Sequence, residues 1–465
     1  MSLLSKIRGW FSMLLKSKAK DEFNIEPIGS EQLDAWIDEC VRIYQGNPCW
    51  LDEADHIDTV NFAKSICSEI ARLTMLAAGI HFDGSARADW LQQQIDRIYD
   101  QLRQWVEYGC AYGIVILKPN GDSVDLYTRN QFEVTHISNG KIDGIVFHNW
   151  KRMGKDWYTR LEYHRFEDGL YRITNKCYIG DQPDDTKEQV EIQLTPWADL
   201  AEEVAMSNIA EPLFGVFRTP HANNIDLGSP YGLPAFSEAI QELRDLDIAY
   251  SRNSKEVADS RRTVLLDSDS LIADGTKVSL SAYAWQTGRE QLGLPDMVKN
   301  VRGNGREMFY QEINPTLNTD VRITGINALL SQIGYKVGFA NGYFVFNEQT
   351  GIQTATGVEA EQQRTIQLIK DYRDALEACL NGLINALDVF ATLYGLAPAG
   401  SYEVVYDFGD ITYNRDEDRA RWWGYVQAGK VPAWMFFVKF EGMTKEDAKA
   451  MVAEAQPSLP TLFGN

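Results

Sequence analysis

Histidine, cysteine and basic side chains are all scarce in this chain of 465 residues, and each shortage closes off a class of function. The six histidines, His56, His81, His136, His148, His164 and His221, are never four apart, and none neighbours a cysteine at metal-finger spacing. No H-E-x-x-H pair and no G-x-S-x-G elbow occurs either, so the sequence offers no zinc-hydrolase or serine-hydrolase motif. Cys40, Cys49, Cys67, Cys110, Cys177 and Cys379 are scattered without a C-x-x-C pair, which reads as reduced thiols in a cytosol and not as a disulfide framework. Lys and Arg total 45 against 66 Asp and Glu, a net charge of −21, which argues against a surface that grips phosphates by counterion release. An acidic surface past which nucleic acid slides remains compatible with that balance. No apolar run approaches the length of a membrane span.

What is present is ample apolar material: 44% hydrophobic and 11% aromatic residues, enough for packed cores in what length alone predicts as about three domains. Near the start, Leu3, Ile7, Trp10 or Phe11, and Leu14 share one helical face, surrounded by Lys6, Arg8, Lys16, Lys18 and Lys20. Lys6, Arg8 and Gly9 break any signal-peptide core, so this basic amphipathic arm is expected on a membrane surface, on a partner, on its own protein or on a neighbouring copy. From Glu31 to about Gly113 the apolar period is helical. Beyond it the period falls to two, with Asn120-Gly121, Asn139-Gly140 and Asp168-Gly169 between the runs, which predicts a meandering antiparallel sheet. The acidic stretch from Gly180 to Glu188 reads as an exposed loop.

Two narrow apolar helical stripes follow, one through Phe236, Ile240, Leu243, Asp247, Tyr250 and Val257, the other through Ile323, Ile326, Leu330, Ile333, Val337 and Ala340. Between them Thr263 to Leu266 and Met308 to Ile313 predict strands of a small α/β module. The most distinctive stretch lies further on. A polar loop, Asn347-Glu348-Gln349-Thr350-Gly351-Ile352-Gln353, leads into a stripe from Val358 through Thr365, Ile369, Tyr372, Leu376, Cys379, Leu383, Leu387 and Phe390 to Tyr394. Thr356 with Glu359 reads as a capping box, and roughly 38 residues at 1.5 Å of rise predict a rod of about 55 Å. Tyr402 to Tyr406 then reads as a strand, and three short helices follow over 415–428, 432–440 and 444–455, with Thr444 and Asp447 as a second capping box.

Fragments that spell catalytic motifs fail on context. Gly424 to Lys430 matches the start of a phosphate-binding loop, but Val431 stands where a magnesium-binding Ser or Thr belongs, and no strand precedes it. Asp407-Phe408-Gly409 lacks the other kinase elements and reads as a strand-end turn. The carboxylate groups Asp267 with Asp269, Asp245 with Asp247, and Asp416-Glu417-Asp418 could hold a hard cation or form an acid and base pair; in so acidic a chain, solvated faces and helix N-termini account for most such pairs. Asp247 in its helical seam has two readings, an ion pair with Arg244 or Arg252, or one member of a negative ring in a helix-lined pore.

Taken in order, the parts resemble a tailed-bacteriophage portal protein of the long-tailed type. The resemblance is carried by the Leu117-Lys118-Pro119 strand end, the Tyr163-His164 strand, the succession helix, α/β insert, helix, and Thr354-Ala355-Thr356 opening the long helix, with Gly357 where the family usually has an acidic residue and Glu359 two positions on. It implies an α+β, portal-type fold: an N-terminal arm (1–30), a wing of helices then antiparallel sheet (31–227), a first stem helix (228–260), a clip (261–319), a second stem helix (320–343), a channel loop (344–356), a long wing helix with return strand (357–413), a helical crown (414–456) and a tail (457–465).

The resemblance further implies no catalytic activity and no cofactor or metal. It implies a homo-oligomeric ring of twelve copies at one capsid vertex of the virion, assembled in the host cytoplasm. The partners would be the terminase large subunit, the major capsid or scaffolding protein, the head-tail connector or adaptor, and double-stranded DNA passing through without sequence specificity. Asn347, Glu348, Gln349 and Thr350 are then expected in the channel loop, and Asp247, Arg252, Lys255, Arg261, Arg262 and Lys336 are candidate pore-lining residues, the cations either touching phosphates or pairing between subunits. Two rival readings stand beside it, a cytosolic hydrolase built on paired carboxylates and a different virion adaptor or minor head protein.

Overall fold

A computed structural model describes residues 18–51, 57–121, 123–259, 263–267, 297–301, 310–313, 318–345, 355–409, 415–428, 430–441, 443 and 445–455. The chain is α+β, with mixed helix and predominantly antiparallel sheet. It divides into two units, residues 1–75 with 80–406, and residues 76–79 with 407–465.

In the first unit, tight reversals set the strand pairing. Asn139 and Gly140, then Asp168 and Gly169, both hold positive φ (49° and 76°, 55° and 75°), the type I′ geometry that matches strand twist. Gly154 makes a reversal that the sequence pattern did not flag. At Asn120-Gly121, Asn120 is the last paired strand residue and Gly121 has φ above zero. These turns yield two sheets where one meander was expected. Strand β2 (Ile114–Asn120) lies between β3 (Ser123–Thr128) and β10 (Gly215–Arg218). Strands β4 (Phe132–Ser138), β5 (Lys141–Met153), β6 (Asp156–Glu167), β7 (Leu170–Gly180) and β8 (Glu188–Val190) form the larger sheet in that order, with β9 (Glu203–Met206) also on β7. The break comes at Thr128, which forms a capping box with Gln131 and turns the chain away before β4 can extend the first sheet.

The helices α1 (Glu31–Tyr44), α2 (Phe62–Thr74) and α3 (Ala86–Tyr112) account for the helical period of the N-terminal third, interrupted by a strand, β1 (Gly79–Gly84), that pairs with β14 (Tyr402–Asp407). Ser30 and Ser85 accept from the first-turn N–H groups of α1 and α3, and Gly113 closes α3 in the left-handed region. A core of Leu33 and Ile37 from α1, Ile114 and Ile116 from β2, and Phe132, Ile145 and Phe147 from the larger sheet joins the helices to both sheets.

Helix α6 (Ala355–Leu393) runs 39 residues, close to the expected rod. It opens at Ala355, and the side chains of Thr356 and Glu359, the expected capping box, lie outside those described. Ile369, Tyr372, Leu376, Cys379, Leu383 and Leu387 are all buried, as the stripe requires, while Tyr394 beyond its end is exposed. Gly382, the one apparent flaw in the stripe, faces Gly215 of β10. A Cβ on Gly215 would lie 2.0 Å from the Cys379 carbonyl oxygen, and one on Gly382 2.9 Å from that of Phe214. Residues Gln362–Leu393 are long and apolar enough to cross a membrane by length and composition. In the fold that face packs on β10, β2, α2 and α3.

Helices α4 (Ile240–Asp259) and α5 (Thr319–Val337) pack on each other, and the chain between them contributes β11 (Thr263–Asp267), β12 (Met297–Val301) and β13 (Tyr310–Ile313). β11 is central, parallel to β12 and antiparallel to β13. In the second unit, α7 (Arg415–Gln427), α8 (Ala433–Glu441) and α9 (Lys445–Ala455) fall close to the three predicted C-terminal helices. Trp422, Trp423, Phe436 and Phe440 stack between α7 and α8. The phosphate-loop look-alike is the last turn of α7, since Gly424 to Gln427 are helical. Thr444 of the second predicted capping box lies outside the described residues.

Candidate functional site

The α4 and α5 pair is fastened at both ends. Lys336 Nζ donates to the Glu242 carboxylate at 2.8 Å and to the Glu238 carbonyl at 3.0 Å. Arg322 pairs with Glu256, whose carboxylate also takes the Asn318 N–H at 3.0 Å. That backbone donor first, and then the guanidinium, hold Glu256 below its usual range. Both clamps join residues fourteen apart on each helix, about 21 Å at 1.5 Å per residue, so the helices run antiparallel in register. Tyr250, Val257, Val321 and Tyr335 remain exposed on this hairpin, and a Cβ on Gly325 would meet open space.

Of the expected pore residues, Asp247 needs correcting on both readings. It is only 3% exposed and pairs with neither Arg244 nor Arg252. Its carboxylate takes the Trp50 indole N–H and the Val60 backbone N–H, each at 2.9 Å. One turn further along, Ser251 takes the Asp58 N–H at 3.0 Å. The seam aspartate is a buried latch that fastens the segment before α2 onto α4. Burial pushes its pKa up, against the pull of those donors. Sequence periodicity missed this because both partners are nearly 200 positions away. Lys336 is committed inside the chain, to Glu242. Arg252 and Lys255 are exposed on α4. Arg261, Arg262, Asn347, Glu348, Gln349 and Thr350 lie outside the described residues.

The approach to that loop is firmly held. After Gly338 ends α5, Phe339, Tyr343 and Phe344 stack on one another and Phe344 meets Phe62 of α2 edge-on at 5.1 Å. Tyr343 donates its hydroxyl to Glu69 of α2. On the return side, Thr365 of α6 accepts the Ala340 N–H at 2.8 Å, and Arg364 lies over the Tyr335 ring while donating to its carbonyl. The end of α5 and an early part of α6 are thereby tied together.

A second polar site lies inside the sheets. Glu162 of β6 accepts from Lys118 Nζ at 2.5 Å, Arg160 at 2.8 Å and His164 Nε2 at 2.9 Å, all of them buried. Burial alone would raise the Glu162 pKa, but Arg160, Lys118 and the His164 hydrogen bond outweigh it and hold the carboxyl well below its usual range. Burial also drives His164 down, against Glu162, which keeps the ring neutral. The chain of donors agrees with that charge. Leu213 N–H donates to the Tyr171 hydroxyl, which donates to His164 Nδ1, leaving Nε2–H for Glu162. Lys118 also lies 5.1 Å from the centre of the Phe147 ring. The sequence marked Lys118 and His164 as resemblance residues in separate strands, and only the fold brings them onto one carboxylate.

Asp245 and Asp247 do not converge, and the side chains of Asp267, Asp416, Glu417 and Asp418 lie outside those described. Asp245 faces solvent and takes the Gln241 amide, while Asp247 is turned inward. Asp269 lies outside the described residues, and no group of three His, Cys, Asp or Glu side chains placed to hold a metal ion occurs among the described residues. Neither a scan against models of known protein families nor a search of the curated proteins finds a match to this chain.

Proposed function

We propose that this chain is the subunit of a portal-type ring through which a viral genome is packaged and later ejected. The observation that carries this reading is the antiparallel α4 and α5 hairpin, zipped to itself by Lys336–Glu242 and Arg322–Glu256, bearing three strands between its helices, and still presenting Tyr250, Val257, Val321 and Tyr335 outward. Exposed apolar residues in line on paired helices are costly unless something covers them. Identical hairpins arranged head-to-tail about an axis would do so. In this reading α4 and α5 are the stem, β11 to β13 the clip, the two sheets with α1, α2, α3 and α6 the wing, and α7 to α9 the crown.

The acidic balance supports passage of double-stranded DNA without capture. Arg252 and Lys255, exposed on α4, are open to phosphates or to a neighbouring copy. The terminase large subunit, the capsid or scaffolding protein and the head-tail connector are the expected partners, and the virion the expected location. Light scattering after size-exclusion chromatography, with negative-stain imaging, tests the reading. Rings of about a dozen copies support it, and Tyr335→Asp with Val321→Asp should disperse them without unfolding the subunit. A chain that stays monomeric across concentration and salt refutes it.

A further inference from the structure

A groove of about 490 Å³ opens between α1 and the segment leading into α4, walled mostly by apolar surface from Trp36, Ile225 and Leu233, with Glu39 and Glu238 at its polar edge. Two of its groups lack partners. The Trp36 indole N–H is closed off from solvent and finds no acceptor among the described residues, although buried indole donors normally have one. Glu238 is exposed and engages Lys336 only through its backbone carbonyl. Glu39, by contrast, is already taken by Arg42 and the Cys49 N–H. The groove therefore suits an occupant that is apolar and carries a cation for Glu238.

One segment of the chain has that chemistry. Residues 1–17 lie outside the described residues, and their sequence places Leu3, Ile7, Trp10, Phe11 and Leu14 among Lys6, Arg8 and Lys16. The first twenty residues carry five Lys or Arg and no acidic residue, in a chain of net charge −21. The arm joins the described fold at a firm anchor. Ala19 and Phe23 pack on Val146, Leu161, Tyr163 and Tyr178, and Lys18 and Lys176 both pair with Glu22. Val146 alternates along β5 with Ile145 and Phe147, which face the core shared with α1, so anchor and groove lie on opposite faces of the larger sheet. To fill its own groove the arm would have to double back around a sheet edge.

We infer that the groove between α1 and the α4 approach is the seat for the basic N-terminal arm of an adjacent copy, with apolar contacts to Trp36, Ile225 and Leu233 and the carboxylate of Glu238 as its polar contact. This rests on the ring reading above. To test it, Phe11 is replaced by the photo-crosslinking residue p-benzoylphenylalanine in the full chain, the purified assembly is irradiated, and the crosslinked peptides are mapped by mass spectrometry. The expected result is a ladder of covalent multimers joined to peptides containing Trp36 or Ile225, reduced several-fold by Glu238→Lys or by Lys6→Glu with Arg8→Glu while rings persist in the micrographs. Rings with no ladder, with crosslinks elsewhere, or with the Trp36 peptide joined only within one chain overturn this inference and leave the ring reading standing. Material that forms no rings and no intermolecular crosslinks overturns both.

Discussion

Replacing Glu162 by glutamine keeps the side-chain shape but removes the carboxylate that both Lys118 and Arg160 contact, each of them almost wholly buried. A glutamine oxygen can still accept a hydrogen bond, yet two cations then share a water-poor site with no carboxylate in contact and only Asp125 acting on Lys118. Removing one partner from a buried ion cluster typically costs about 3–5 kcal/mol. That is a large fraction of the roughly 5–15 kcal/mol that holds a domain folded. Lys118→Met should be far milder, about 0–2 kcal/mol, because Glu162 keeps Arg160 and His164 while the methionine retains contact with Phe147 and Tyr127. Urea unfolding at neutral pH, followed by tryptophan fluorescence, measures both. If Glu162→Gln lies within about 1 kcal/mol of the parent, or if Lys118→Met is equally severe, the carboxylate is not the organising charge of this site.

His164 gives a pH signature. Burial lowers its pKa in the fold, so below its unfolded value of about 6.5 the unfolded chain binds the proton first. Its contribution to stability is full above that value and declines as pH falls through it, and His164→Gln should flatten melting temperature against pH over about pH 5 to 7. Asp247→Ala leaves the Trp50 and Val60 N–H groups buried and unpaired, at about 2–4 kcal/mol, while Asp247→Asn keeps an acceptor and should cost less; amide exchange at Val60 reads the released latch. Gly215→Ala drives a methyl group against the Cys379 carbonyl and should cost about 3 kcal/mol in thermal unfolding. Gly325→Ala meets open space on a helix and should be neutral or stabilising by about 0.5–1 kcal/mol in the isolated subunit, so a loss of rings in that variant would locate a close helix contact there.

Features written in local chemistry were legible in the sequence. Asn139-Gly140 and Asp168-Gly169 specified their reversals because left-handed φ at two successive positions admits few other residues. The long helix was legible because its stripe holds from Thr365 to Leu387 against a continuous surface. The division into two sheets was not, because Thr128 and Gln131 redirect the chain through a short side-chain cap that leaves hydrophobic alternation intact. β1 escaped notice for a related reason: its partner β14 is over three hundred residues away. Of the candidate site, periodicity identified the seam and found Asp247 in it, but polarity in a seam has the same signature whether the carboxylate faces a pore or a distant backbone N–H.

The fold spends basic groups internally: Arg87 donates to the Asp388, Ala397 and Pro398 carbonyls at the end of α6, Arg373 to those of Leu73 and Thr74, and Lys118, Arg129 and Arg160 to acceptors among the strands. These five are nearly all hidden, and fewer carboxylates are hidden with them, chiefly Glu133, Glu162 and Asp247. Among the described residues, burial thus hides more positive than negative charge and shifts the exposed balance towards the acidic side. A ring built from such subunits would hold itself together through apolar helix contacts and discrete ion pairs, because bulk charge repels copy from copy. The same repulsion would act on a polyanion in its lumen, so the property that makes assembly depend on exposed Tyr250, Val257, Val321 and Tyr335 is the one that would leave DNA free to move.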